Sequence, residues 1–263
     1  MKKHSTKIIS ITPYICGHRT YIKADTPEHQ KLILPEWVFR IEHKQLGNIL
    51  FNSGYSRFIS SFNPKTILFK RRHKITYTPS EYLSSQLSAE GMDEQCIRRI
   101  VLSHAALDSI GGLPNFSNYT LYATAQALAP LTTSLFGEYI PKRLLPSNTI
   151  SRKAPALFTG KTVLENYFPY IYDLFGDGSV LGVALNGYAK GHIGLFLPEH
   201  QILLAAHACI NTEHLHTEPT KHFLKQQYNS DQYLNTLNNL RRFLADNPEV
   251  RCIFANELQI QNL

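Results

Sequence analysis

Residues 99–112, RIVLSHAALDSIGG, limit what this chain can become more than any other stretch. Three apolar residues, Ile100-Val101-Leu102, run into Ser103-His104; Asp108 and the pair Gly111-Gly112 follow. A short apolar run closed by polar residues and a glycine pair predicts a buried strand ending in a loop that opens a helix. In α/β folds the groups that do chemistry gather at such strand ends. His104 and Asp108 are therefore the first candidate functional residues.

The same pattern recurs along the chain. WVFRI (37–41) and NILF (48–51) flank Gln45-Leu46-Gly47 and predict a hairpin whose second strand ends in Asn52-Ser53-Gly54-Tyr55. Residues 180–185 predict a strand that runs into Asn186-Gly187-Tyr188-Ala189-Lys190-Gly191-His192. Residues 195–197 and 201–205 predict a second hairpin, ending in Ala206-His207-Ala208, and 250–254 a last strand ending in Ala255-Asn256. Residues 7–15, 20–22 and 119–123 read as further strands. Thr78-Pro79-Ser80-Glu81 carries the signs of a helix start, with a capping box and proline at the first position. Tyr233, Leu234, Leu237, Leu240, Phe243 and Leu244 recur at helical spacing over 228–246, which Pro248 ends. NILFNSGY and QILLAAHACI echo one another, each a buried strand ending in a polar group. Residues 57–77 read as a flap, and 131–169, broken by four prolines, as a lid or binding loop.

A chain of 263 residues suffices for one large domain, expected here to span 1–263. No apolar run approaches a membrane span. The basic N-terminus lacks a signal-peptide core, so a cytoplasmic location is expected. Cys16, Cys96, Cys209 and Cys252 are far apart and form neither a zinc knuckle nor a disulfide framework. The net charge of +7 favours anionic ligands. Its one dense basic run, Lys70 to Lys74, reads as a solvated loop rather than a nucleic-acid groove.

Taken in order over residues 35–257, these landmarks resemble the metallo-β-lactamase superfamily, in a lactonase-like branch similar to N-acyl homoserine lactonases. The resemblance implies a four-layer αβ/βα sandwich and, ancestrally, hydrolysis by a metal-activated water. Its signature loop, T/S-H-x-H-x-D-H-x-G-G, is matched with changes. His104 and Asp108 hold the first histidine and the aspartate, while Ala106 and Ser109 stand where the other two histidines belong. Asn52 replaces the aspartate of L-F-D-T-G-Y, and Tyr188 the histidine of L-P-G-H. His207 replaces the aspartate that bridges two metals, and Asn256 takes the place of the last histidine.

Carried over residue by residue, the dinuclear donor set is broken. Ala106 has no donor atom, Ser109 and Asn256 are poor zinc ligands, and Tyr188 ligates only as a phenolate. The first expectation is a pseudoenzyme without metal or other cofactor. It would keep the vestigial site (Asn52, His104, Ala106, Asp108, Ser109, Tyr188, His207, Asn256) as a cleft for a small molecule or a protein partner, such as an active paralogue or pathway enzyme. A homodimer or hetero-complex goes with that reading. In it, Tyr188 fills the vacated space, Asp108 contacts His207 and keeps it partly protonated, or Asp108 caps the helix beginning at Ser109. The alternative is a hydrolase of an ester, lactone or thioester with a rebuilt site in which His104, Asp108, Tyr188 and His207 hold one zinc or iron ion. His214, His216 and His222 read as surface histidines.

Overall fold

The structure is a computed structural model that describes residues 6–22, 31–59, 67, 70–71, 74–129, 144, 152–153, 156–261 and 263. Strands β1 (Ile8–Ile22), β2 (Lys31–His43), β3 (Gly47–Phe51), β4 (Ile97–Val101), β5 (Thr120–Tyr122) and β6 (Arg152–Lys153) form one sheet in chain order. A second sheet runs β12-β11-β10-β9-β8-β7. Its strands are β7 (Ala156–Leu157), β8 (Ile171–Asp173), β9 (Leu181–Ala184), β10 (Ile193–Leu197), β11 (Ile202–Ala206) and β12 (Arg251–Phe254). The described helices are α1 (Leu83–Ala89), α2 (Leu107–Ile110), α3 (Ala125–Leu128), α4 (Thr212–Leu215), α5 (Lys221–Leu224) and α6 (Ser230–Asp246).

Strand alternation explains the layers. Successive side chains of a strand point to opposite faces. Ile49 and Phe51 of β3 join Ile202 and Leu204 of β11 in an apolar cluster between the sheets. Leu50 points the other way, into a cluster with Leu83 and Leu87 of α1. Leu203 and Ala205 do the same beneath Leu237, Leu240 and Phe243 of α6. Both faces of both sheets are thus covered, which is why the strands read as unbroken apolar runs. The order helix, sheet, sheet, helix is the αβ/βα sandwich expected.

Two crossovers set up the site. β3 and β4 pair in parallel, as do β11 and β12. Parallel neighbours require a crossover, supplied by the segments carrying α1 and α6. The two echoing stretches are the first strands of these crossovers. The ends of the two sheets are stitched together: Ile193 N–H donates to Ser103 O at 2.9 Å, and Trp37 N–H to Ala255 O at 2.9 Å.

Three expectations change in detail. Residues 7–15 and 20–22 belong to one strand, because a register shift between Ile15 and His18, with Gly17 at φ 108, interrupts the ladder without ending it. The capping box at Thr78 closes a 3-10 turn, Pro79–Glu81, and α1 begins only at Leu83. Parts of 57–77 and 131–169 lie outside the described residues. Among those described, no helix is long and apolar enough to cross a membrane.

Candidate metal centre

Local chain chemistry places each group. β3 ends in Asn52, which takes the left-handed φ of 66 that asparagine tolerates better than most residues. Its side-chain carbonyl then accepts the Ser103 N–H at 2.9 Å and the Ser103 hydroxyl at 3.1 Å. The loop after β4 is thereby pinned one residue before His104. Gly112 lets the neighbouring loop close in, since a Cβ there would lie 2.2 Å from Ser53 O. The Ser53 hydroxyl donates to Ser109 O at 2.7 Å and accepts the Gly112 N–H at 3.1 Å.

His104 is fully buried. Its Nδ1 lies 2.8 Å from the Ser103 hydroxyl and 3.1 Å from the Ser109 hydroxyl. Its Nε2 is 3.2 Å from Asp108 Oδ1. Asp108 does not cap α2; Ala106 is the N-cap residue, and Asp108 sits in the first turn, accepting the Ser109 hydroxyl at 3.1 Å. Ala106 contributes no side-chain polar atom.

From the second sheet, Ala206 adopts φ 48 where β11 slips register against β12. This strained conformation directly precedes His207. The His207 Nε2 lies 3.7 Å from Asp108 Oδ2 and 3.2 Å from Glu36 Oε2. Asn256, at the end of β12, donates to Glu36 Oε2 at 3.2 Å and to Pro35 O at 2.7 Å, and accepts from Arg19. Tyr188 lays its ring on His207, with centroids 5.0 Å apart and planes 13° apart, and meets His104 edge-on at 5.3 Å. Gly187, at φ 117, makes this approach feasible: a Cβ there would lie 2.1 Å from the Tyr233 backbone nitrogen of α6.

Electrostatics follow from burial and contact. Burial alone would raise the Asp108 carboxyl, but His104, His207 and Arg19 outweigh it and hold the group below the usual carboxylate range. Burial pushes His207 down to about 3 despite Asp108. The expected Asp108–His207 contact is present. Burial and the nearby Asp108 charge push the Glu36 carboxyl well above its ordinary value.

His104, Asp108 and His207 each offer one ligand atom, all within 4.8 Å of one another. Asp108 faces both imidazoles, with His104 Nε2 3.2 Å from its Oδ1 and His207 Nε2 3.7 Å from its Oδ2. The donor set of two imidazoles and a carboxylate suits zinc or non-haem iron. Buried Glu36 Oε1 and His207 Nδ1 make no hydrogen bond among the described residues, so the site's polar capacity is not exhausted. One divalent ion fits. Two do not, since Ala106, Ser109 and Asn256 supply no second set. Of the four residues expected for a rebuilt one-ion site, His104, Asp108 and His207 converge, which leaves a single-metal site open.

The sequence reading missed Glu36 and Arg19, and left His192 outside the candidate site. Glu36 had a signal, a lone charge inside the apolar run LILPEWVFRI. Arg19 had none, because only the shift in β1 register aligns it. His192 is buried with Nδ1 2.8 Å from Leu185 O and its ring 5.5 Å from that of His104. Asn211 caps α4 by accepting the His214 N–H at 3.0 Å, while His216 and His222 are exposed.

The sequence matches no protein-family model and no curated protein. Solved structures do match. An N-acyl homoserine lactone hydrolase, with its product N-hexanoyl-L-homoserine at a catalytic metal centre, superposes with TM-score 0.72 at 18% identity, over 96% of this chain and 95% of its own. AidC, a dizinc quorum-quenching lactonase, gives 0.65 at 14%, over 96% and 90%. A probable metal-dependent hydrolase from Staphylococcus aureus gives 0.66 at 12%, over 96% and 90%. With these likenesses added to the two covered sheets, the chain has the metallo-β-lactamase fold, and within it His104, Asp108 and His207 converge as a candidate donor set.

Proposed function

We propose that this chain is a hydrolase of an ester, lactone or thioester that works with one divalent ion. The observation that carries the reading is the convergence of one ligand atom each from His104, Asp108 and His207 within 4.8 Å of one another, buried where the strands of both sheets end. The likeness to lactonase structures supports the substrate class.

An ion held by His104, Asp108 and His207 supplies Lewis acidity to a carbonyl and a lowered pKa to water. The chain's own groups do the rest. The Ser103 and Ser109 hydroxyls at Nδ1 fix the His104 ring so that Nε2 faces Asp108. Asp108 remains a carboxylate and supplies a negative charge. The Tyr188 ring covers one face of His207 and limits how it turns. Asn256 holds the Glu36 carboxyl beside His207 Nε2.

A panel of lactones, oxoesters and thioesters tests the proposal. Hydrolysis of at least one class should stop with chelator and return with one equivalent of zinc or ferrous iron. No turnover of any class by metal-replete protein would return the chain to the non-catalytic, ligand-binding reading.

A further inference from the structure

Arg19 is the unexplained charge beside the site. The slip in β1 puts Arg19 opposite Leu34 of β2, on the face that carries Glu36 two residues later. Its Nη2 donates to the Asn256 side-chain oxygen, so the guanidinium ends at the Asn256–Glu36–His207 chain of contacts. Its partner there is a neutral amide. Among the described residues no carboxylate lies within ion-pair distance of Arg19, and its buried Nε makes no hydrogen bond. Burial opposes the charge, while the nearby Tyr188, Glu36, Tyr55 and Asp108 keep the guanidinium protonated.

Arg19 is partly buried with its Nε enclosed, and a cation withdrawn from water is normally offset by pairing it. A guanidinium also presents a planar fork that matches a carboxylate bidentately. Charge balance points the same way. With one divalent ion on His104, Asp108 and His207, the ion and Arg19 outweigh Asp108 and Glu36 by at least one positive charge, even with both carboxylates ionised. One carboxylate on the substrate would neutralise it. The chain's net charge of +7 favours the approach of such a substrate.

We propose that Arg19 anchors a carboxylate of the substrate, so that the compound hydrolysed is a small ester, lactone or thioester bearing a free carboxylate. This rests on the proposed hydrolase reading for the scissile bond, but not for the anion site itself.

Two measurements separate the claims. The first is calorimetric binding of succinate to protein loaded with one equivalent of zinc. Arg19→Gln should weaken it at least tenfold. Arg19→Lys, which keeps the charge but loses the fork, should fall between Arg19→Gln and wild type. The second is turnover of the mono-4-nitrophenyl ester of succinate against 4-nitrophenyl acetate. The ratio of KM for the neutral ester to KM for the anionic one should fall at least tenfold in Arg19→Gln. If succinate binding depends on Arg19 and neither ester is hydrolysed, the anion site stands and the hydrolase reading fails. If both esters are hydrolysed with a ratio indifferent to Arg19→Gln and Arg19→Lys, and succinate binds both folded variants like wild type, the hydrolase reading stands and the anchor is overturned. Inorganic phosphate binding more tightly than succinate would also overturn the carboxylate assignment.

Discussion

The loop after β4 and the loop after β11 deliver the two imidazoles of one cluster, and they do so by opposite means. The first is self-contained. His104 is oriented by hydroxyls from Ser103 and Ser109, and the carboxylate it faces, Asp108, is four residues on in the same loop. The second borrows. Where the lactonase pattern places an aspartate the chain has His207, and the carboxylate against that imidazole comes from Glu36 on β2, held by Asn256 from β12. A carboxyl group is thus supplied to position 207 from another strand. A ligand position that looks defective along the sequence can thus be compensated by a group that only the fold brings near.

The variant that breaks this comparison most sharply is His207→Asp. It places a third carboxyl against Asp108 and Glu36 in a buried site, where an uncompensated charge costs about 3 kcal/mol. Urea denaturation should show a loss of that order. Adding Glu36→Gln should recover about 1–2 kcal/mol, the coupling expected of residues in contact. Additive losses would show that Glu36 does not balance position 207.

Next in size is Asn52→Ala, aimed at the self-contained loop. It puts alanine at a left-handed φ and leaves the Ser103 N–H without its partner, together about 2 kcal/mol in chemical denaturation. Zinc affinity should fall with it, because Ser103 orients His104. Unchanged affinity would mean that the loop does not position the imidazole.

The smallest effect belongs to a region remote from both loops and serves as a control. Burial would raise the Asp177 carboxyl, but hydrogen bonds from Ser179, together with Lys7 and His43, hold it below its ordinary value. A carboxyl lowered on folding stabilises above its unfolded pKa, and that contribution disappears as pH falls through the folded value. Asp177 is partly exposed and screened, so Asp177→Asn should cost about 0.5 kcal/mol at pH 7 and progressively less as pH falls below the ordinary carboxylate range. Its zinc affinity should equal that of wild type. A change in affinity would show that the two-loop comparison does not isolate the site.

The same contrast explains what could be read in advance. Buried strands and their ends are local patterns. Ile100-Val101-Leu102 before His104, and Ile202 to Ala205 before His207, announced both the sheets and the places where polar groups emerge. The convergence of those ends follows from parallel pairing with crossovers, which the order of landmarks carried. The compensation by Glu36 and the approach of Arg19 were not legible. They depend on a register slip near Gly17 and on pairing between distant strands, and neither leaves a periodic trace. Reading each substituted ligand position alone led to an expectation of lost metal. In the folded chain, the histidine at 207 lies where it could serve as a donor beside His104 and Asp108.

That claim is settled by metal content. Protein purified without chelators, at neutral pH and in the presence of zinc and iron, should carry close to one divalent ion per chain by elemental analysis. His104→Ala and His207→Ala should each lower retention at least a hundredfold in competition with a calibrated chelator, while remaining folded by circular dichroism. A wild-type chain that folds and yet retains no ion, or one that retains the same ion in both alanine variants, would contradict the assignment of His104, Asp108 and His207 as a one-metal centre.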